Sequence, residues 1–357
     1  MEKRNKIYLE IIRVVAIFLV IVNHTPGWQM PEFVAPYGGL SYWMSLFFCE
    51  VVKMAVPLFF MISGSLLLNR DESAGSWFRK RVCRFLLAMA IVVLLQYLYH
   101  ICTTDESFGW GKLFAFLRRG SSINDFKVLW FLKVYIILML LLPVMRFLIK
   151  RMSGRVFIGL LLLQFVFYVV FPLVMMTVGR YDSYIKIRES LTVVPLPFSL
   201  DYCVLYFLMG FWLERVKVNF SLSLKVWSVF LSLMVACICM ELSRKSMGTM
   251  SVLSNDVFLI SLLSVPCAAV YLIVKDYVTK SEMSQRLRNM WGNFGSAVFV
   301  VMLSENIFRL VWSFLYDYLS PYIGYMAAGV VQAAICFVCA LILGLCVKHT
   351  PILRNIF

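Results

Sequence analysis

Apolar runs long enough to cross a lipid bilayer follow one another along nearly the whole of this chain of 357 residues. A helix that spans the hydrocarbon core needs about 17 to 25 predominantly apolar residues. Ten segments follow this pattern, at 7–26, 43–68, 83–101, 128–148, 156–178, 200–214, 225–242, 256–274, 293–315 and 323–347. We therefore predict an all-α, polytopic integral membrane bundle of about ten transmembrane helices. We expect residues 1–357 to form a single membrane-embedded domain with no appended soluble domain.

The composition argues against two other classes of protein. Hydrophobic residues make up 62% of the chain, well above the roughly one half that is usual in soluble globular domains. The formal charge of +15 could indicate a nucleic-acid partner, but the basic residues lie in short loops between apolar runs rather than in one tract. We therefore expect membrane lipid as a partner and no nucleic acid.

The distribution of lysine and arginine predicts an orientation in the membrane. With the N-terminus inside, cytoplasmic segments hold 21 of the 34 basic residues, external segments hold nine, and four lie within the spans. Cytoplasmic loops of membrane proteins carry such an excess. Because the number of spans is even, both termini are predicted to be cytoplasmic, in a multi-pass protein of the inner (cytoplasmic) cell membrane.

The first predicted helix carries two ionisable residues, Arg13 and His24. They are eleven residues apart, which is three turns plus about 20°, so both side chains project from one face, with a rise of roughly 16 Å between them. An ionisable group inside a membrane costs a few kcal/mol and usually faces a bundle interior or a polar cavity. We predict that both residues line a polar path through the membrane, with Arg13 near the cytoplasmic leaflet and His24 near the outer leaflet. A structural histidine bonded to a neighbouring carbonyl is the alternative.

A dense basic segment precedes the third predicted helix and contains Arg79, Lys80, Arg81 and Arg84. Arg81 and Arg84 have i, i+3 spacing, which places two guanidinium groups side by side on a helix. Paired guanidinium groups at a helix start suit phosphate, since their donors and the unpaired backbone N–H groups point the same way. The alternative is a role in topology and in contact with lipid headgroups.

Taken in order, these motifs resemble the membrane acyltransferase 3 family. The first helix carries Arg13 and His24, the second reads VPLFFMISGSLLL over 56–68, and FRKRVCR follows over 78–84. The segment LWFLKVYIILMLLLPVMR over 129–146 is similar to the Trp-Phe, Tyr and Pro pattern of the family. Members of that family include O-acetyltransferases of lipopolysaccharide, enterobacterial common antigen and other surface glycans.

The resemblance implies transfer of an acyl group, usually acetyl, from cytoplasmic acyl-CoA to a hydroxyl at the outer face. The expected donor is acetyl-CoA or another acyl-CoA, with no metal, and the expected acceptor is a cell-surface or lipid-linked carbohydrate. Arg13 and His24 match the essential pair of the family, and Arg81 and Arg84 match its RxxR motif on the CoA side. Such a transfer needs a base, for which histidine is the commonest choice, and a positive group near phosphate or a developing oxyanion. We assign His24 as the base and Arg13 to the acyl-CoA channel.

The ninth predicted helix departs from the family pattern. Family members often have an aromatic-aliphatic run that ends in histidine there, whereas this chain has Ser304-Glu305-Asn306. Glu305 is thus the candidate catalytic carboxylate. The alternative is an ion pair between Glu305 and Arg309, which are spaced i, i+4.

Three further residues are candidates for substrate binding, namely Glu50, Trp130 and Tyr135. Glu50 could orient His24 or the acceptor sugar, or it could form an ion pair with Lys53 at i, i+3. Trp130 and Tyr135 lie in the segment that resembles the family, but packing or interface anchoring is the alternative for both.

Two rival functions belong to other classes. A transporter or flippase would use Arg13 and His24 to line a substrate path, and transporters often show paired Gly- or Pro-broken helices in corresponding halves. The sequence shows no such symmetry, which favours the enzyme. A degenerate family member that senses or scaffolds is the second rival, since the ninth-helix histidine is missing.

Overall fold

The computed structural model describes residues 6–26, 38–70, 72, 74–104, 107–119, 128–192, 202–216, 220–247 and 257–350. Within these ranges the regular structure is helical, with no β-strand. Among the described residues, seven helices are long and apolar enough to cross a membrane: Ile7–His24, Leu40–Leu67, Gly154–Thr177, Leu222–Leu242, Ile260–Lys280, Gln285–Val311 and Tyr325–His349. The all-α, multi-pass membrane fold predicted from the sequence is confirmed.

The α-helices are numbered here in chain order. They are α1 (Ile7–His24), α2 (Leu40–Lys53), α3 (Ala55–Leu67), α4 (Ala74–Trp77), α5 (Arg84–Thr104), α6 (Trp110–Arg119), α7 (Val128–Arg151), α8 (Gly154–Phe165), α9 (Phe171–Thr177), α10 (Tyr181–Thr192), α11 (Tyr202–Arg215), α12 (Leu222–Met247), α13 (Val257–Leu262), α14 (Ser264–Lys280), α15 (Gln285–Val311), α16 (Ser313–Ile323) and α17 (Tyr325–His349). Two π-helical turns join α4 to α5 over Phe78–Cys83 and α8 to α9 over Val166–Val170.

Each of the ten predicted spans contains helix, but three of them are not among the seven long apolar helices. The three are the spans at 83–101, 128–148 and 200–214, which contain α5, α7 and α11. Helix α11 has 14 residues, so it is about 21 Å long, less than the roughly 30 Å hydrocarbon core. The count of ten spans therefore stays a prediction, as does the side of the membrane on which each terminus lies.

Prolines explain two interruptions within the predicted spans. Helices α2 and α3 are separated at Met54, three residues before Pro57. The π-helical turn over Val166–Val170 likewise ends just before Pro172. Proline lacks a backbone N–H and cannot complete the regular helical bond to the carbonyl four residues earlier, so helices bend or break ahead of it.

Close contact between two glycines and the facing backbone fixes α3 against α11. A Cβ added at Gly64 would overlap the Phe207 carbonyl, and a Cβ at Gly210 would overlap the Met61 carbonyl. In membranes, small residues allow helices to approach this closely and gain van der Waals contact. The pairing of 64 with 207 and of 61 with 210 shows that the two helices are antiparallel.

Helices α1 and α15 lie side by side and run in the same direction. Near the first residues of α1, a Cβ at Gly295 of α15 would overlap the Glu10 side chain. Near their last residues, His24 is hydrogen-bonded to Glu305. Two contacts in the same chain order can arise only from parallel helices, so α1 lies along the part of α15 that runs from Gly295 to Glu305.

Charged contacts gather several helix ends at one end of the bundle. Glu214, at the end of α11, forms an ion pair with Lys6 at 2.9 Å and lies 3.6 Å from Lys275 Nζ at the end of α14. Lys348, at the end of α17, donates a hydrogen bond of 3.1 Å to Asn293 near the start of α15. We call this end, defined by Lys6, Glu214, Lys275 and Lys348, the basic end. Lys6, Lys275 and Lys348 belong to segments that the sequence predicts to be cytoplasmic, and those segments hold most of the lysines and arginines.

Candidate functional site

A long cavity of about 1340 Å³ begins at the basic end and lies among α1, α3, α5, α7 and α15. Its wall on α15 runs from Gln285 to Met302. At 1.5 Å per residue these positions are about 26 Å apart along the helix axis. The cavity is therefore a channel that follows α15 from the basic end toward the middle of the bundle.

The lining of the cavity changes from polar to apolar along its length. On α15 it begins with Gln285, Arg288 and Asn289 and ends with Phe299 and Met302. Five basic and two acidic side chains line the whole cavity, and these are Lys6, Arg13, Arg70, Arg84, Arg288, Glu10 and Glu72. Such a channel suits a ligand with an anionic head and a less polar tail.

Arg13 lines this cavity and is held by a carboxylate on its own helix. Its Nη1 lies 2.6 Å from Glu10 Oε2, one turn earlier, and both side chains are about one quarter exposed. Gly295 on α15 leaves the space that Glu10 occupies. The packing of α1 on α15 thus fixes Glu10, and through Glu10 it fixes the guanidinium group.

Two more of the residues proposed from the sequence line the same cavity, Arg84 and Tyr135. The Tyr135 ring lies 4.7 Å from Phe85 and stacks on Phe131 at 5.8 Å, centroid to centroid. Arg84 opens α5 directly after the π-helical turn, a type of distortion that is frequent at functional sites. The other four basic and aromatic candidates have side chains outside the described part of the structure, and they are Arg79, Lys80, Arg81 and Trp130.

His24 and Glu305 form a hydrogen-bonded pair at the opposite ends of α1 and α15 from the basic end. Nδ1 of His24 lies 2.7 Å from Oε1 of Glu305; the Glu305 side chain is 0% exposed and that of His24 is 12% exposed. When a carboxylate accepts this bond, Nδ1 carries the hydrogen and Nε2 keeps its lone pair. The arrangement leaves Nε2 able to accept a proton.

The pair lies just beyond the cavity and not in it. Within the described residues, neither His24 nor Glu305 lines the cavity, which ends on α15 at Met302. Met302 precedes Glu305 by three residues, a rise of about 4.5 Å. The two polar residues predicted to share one face of α1 are thus separated: Arg13 lines the channel, and His24 is bonded to Glu305, which lies less than one turn past Met302 on α15.

The comparison with known families identifies the class of this protein. A family model described as an acyltransferase domain, Acyl_transf_3, matches residues 6–349. The chain belongs to the acyltransferase 3 family. Comparisons with curated proteins and with solved structures gave no match. Since the acyltransferase 3 match covers nearly the whole chain, the protein is a multi-pass membrane acyltransferase, and the enzyme class predicted from the sequence is confirmed.

The sequence of this acyltransferase 3 protein suggested two local ion pairs, and the described residues contain one of them. Glu50 does pair with Lys53, at 2.8 Å, and the carboxylate bonded to His24 is Glu305 instead of Glu50. Glu305 and Arg309 form no ion pair among the described residues, because the Glu305 oxygen nearest a partner is directed to His24. A contact between Glu50 and the acceptor stays a prediction.

Sequence reasoning missed several residues of the acyltransferase 3 cavity. Glu10 could have been found, because it lies at i−3 from Arg13 and the spacing alone predicts an ion pair. Arg70 and Arg288 carried no such signal. Both were counted only as cytoplasmic loop charges, and their position in the cavity depends on how α3 and α15 pack.

Proposed function

We propose that this acyltransferase moves an acetyl group from cytoplasmic acetyl-CoA to a hydroxyl of a cell-surface or lipid-linked carbohydrate, in the inner membrane of the cell. The observation that carries the proposal is the hydrogen bond between His24 and buried Glu305, one turn beyond a channel that starts at the basic end. A base and a donor channel are the two parts that acyl transfer to an alcohol requires.

The channel supports acyl-CoA as the donor. The phosphates of CoA would bind among the cationic side chains that line the channel, of which Arg13, Arg84 and Arg288 supply donors and positive charge. The less polar pantetheine arm would follow the channel toward Phe299 and Met302. This orientation brings the thioester to the end of the channel that is nearest to Glu305 and His24.

The chemistry follows from the free lone pair on His24 Nε2. As the acceptor oxygen attacks the thioester carbonyl carbon, Nε2 takes the hydroxyl proton. A new C–O bond forms, the C–S bond breaks, and its electron pair leaves with the CoA sulfur as a thiolate. The imidazolium can then return the proton to that thiolate. The Glu305 carboxylate stabilises the imidazolium while it exists and holds the ring in place.

The direct test uses membranes that contain the full-length protein and acetyl-CoA radiolabelled in the acetyl group. We expect the label to appear in a glycan fraction, and not in membranes from cells that lack the protein. Absence of labelled glycan in membranes that hold both the protein and its native glycans would overturn the proposal. Movement of glycan across the membrane without labelling would instead favour a transporter.

Replacing Arg84 with alanine is expected to raise KM for acetyl-CoA by about tenfold to hundredfold, because a charge-assisted hydrogen bond contributes roughly 1.5–3 kcal/mol. We expect kcat to change less, since Arg84 lines the channel, whereas neither His24 nor Glu305 does. Arg151→Ala is the matched control: this exposed arginine stacks 3.7 Å from the Phe147 ring centroid and does not line the cavity. Equal values of KM in both variants would contradict a role for Arg84 in donor binding.

A further inference from the structure

A second group of polar side chains lies on the far side of Glu305 from the cavity. Asn306 follows Glu305 directly on α15, and Arg309 comes one turn later. Gln332 faces them from α17, where its Nε2 donates to the carbonyl oxygens of Arg309 at 3.4 Å and Trp312 at 3.2 Å. We call Asn306, Arg309 and Gln332 the outer polar cluster.

Two of the three residues in the outer polar cluster are buried, Arg309 is half-buried, and part of the hydrogen-bonding capacity of the cluster is unused. Asn306 is 3% exposed and Gln332 is 1% exposed. Within the described residues, both polar atoms of the Asn306 amide lack a hydrogen-bond partner, as do Gln332 Oε1, Arg309 Nε and the second carboxylate oxygen of Glu305. A buried polar atom without a partner is costly, so five such atoms on Gln332 and on the segment of α15 that begins at Glu305 require an explanation.

Local packing does not supply that explanation. Ser304, the residue before Glu305, is satisfied by its own helix, since its hydroxyl donates to the Val300 carbonyl at 2.9 Å. The amide nitrogen of Gln332 is likewise used. Half of the ten buried side-chain atoms without a partner among the described residues therefore belong to Glu305, to the next four residues of α15 and to Gln332, and this concentration points to a polar ligand.

The atoms without a hydrogen-bond partner define the chemistry of that ligand. Three of them accept hydrogen bonds, namely the free oxygens of Glu305, Asn306 and Gln332. Two of them donate, on Asn306 and Arg309. A hydroxyl group both donates and accepts, so adjacent hydroxyls on one ring can satisfy acceptors and donors together. A simple or long-chain alcohol, with one hydroxyl, would leave most of them unpaired.

Resting on the proposed acyl transfer, we infer that the outer polar cluster binds the acceptor through the hydroxyls next to the one that is acylated. The donor channel ends on one side of Glu305 at Met302, and the cluster begins on the other side at Asn306. His24 is hydrogen-bonded to Glu305, which lies between Met302 and Asn306 along α15, and an acceptor oxygen and a thioester would have to meet at this histidine. The substrate class is thus a sugar ring or another polyol with a free hydroxyl beside the reacting one.

The test measures donor and acceptor KM separately in the full-length protein with Asn306→Leu, which keeps the size of the side chain and removes its hydrogen bonds. The acceptor probe is the glycan that the wild-type protein labels, purified without label from cells that lack the protein. We expect KM for the glycan to rise about tenfold or more, with KM for acetyl-CoA unchanged, because a site built for hydroxyls loses affinity when its polar groups are removed. Arg309→Lys keeps the charge, loses the Nε–H and should shift the same KM if the leucine variant does not accumulate.

Gln164→Leu is the matched control, since Gln164 is a buried amide on α8 whose oxygen also lacks a partner among the described residues. It should leave both KM values unchanged. An unchanged glycan KM in Asn306→Leu and Arg309→Lys, with glycan labelling intact, would overturn this inference alone and assign the cluster to bound water. Absence of glycan labelling by the wild-type protein would overturn the proposed function, and the inference with it.

Discussion

Replacing His24 with alanine is expected to lower the rate of acyl transfer by about a hundredfold to ten-thousandfold, the usual contribution of a positioned general base. The reason is the orientation of the ring: Glu305 occupies Nδ1 at 2.7 Å, so Nε2 is the nitrogen left to take the proton of the hydroxyl. The measurement is label transfer from acetyl-CoA to glycan, in membranes with equal amounts of wild-type and variant protein.

The variant should still accumulate in membranes, because His24 is the last residue of α1 and, among the described residues, its side chain makes one hydrogen bond, to Glu305. His349→Ala is the matched control, since this second histidine lies exposed in the last turn of α17. It should transfer acetyl at the wild-type rate. A wild-type rate in His24→Ala would exclude His24 as the base and leave the pair with Glu305 as a purely structural contact.

Local periodicity was enough to predict what lies within one helix. The eleven-residue spacing of Arg13 and His24 places both on one face of α1, and that face does meet α15, where Glu10 packs at Gly295 and His24 bonds to Glu305. Apolar runs of bilayer length also predicted the helical segments, because backbone groups in lipid must be satisfied within the helix itself. These features depend on neighbouring residues alone.

The partners across helices could not be predicted from the sequence. Glu305 has an arginine at i+4, and spacing alone favoured that pair. The observed partner, His24, is 281 positions away. The choice depends on how α1 packs against α15, which brings the imidazole to the buried carboxylate. The cavity has the same origin, since its wall combines side chains from five helices that are distant in sequence.

Replacing Glu305 with glutamine is expected to lower acyl transfer by about a hundredfold to ten-thousandfold, close to the effect seen when the carboxylate that orients a catalytic histidine becomes an amide. Glutamine has the same shape but no charge, so the imidazolium formed during transfer loses its stabilising partner. If the amide nitrogen turns toward Nδ1, the hydrogen moves to Nε2 and the base is blocked. The measurement is kcat for transfer to glycan at saturating acetyl-CoA.

Glu305→Asp separates this role from simple packing. Aspartate leaves more empty space than glutamine in the fully buried position, so a packing role predicts that it is the more damaging change. It keeps the negative charge, however, and an orienting and electrostatic role predicts that it recovers part of the lost kcat. Glu241→Gln is the matched control, since this buried carboxylate accepts a hydrogen bond from Tyr42 at 2.8 Å on other helices and should transfer normally. Loss of activity in Glu305→Asp with full activity in Glu305→Gln would mean that shape, and not charge, is what the histidine requires of its partner.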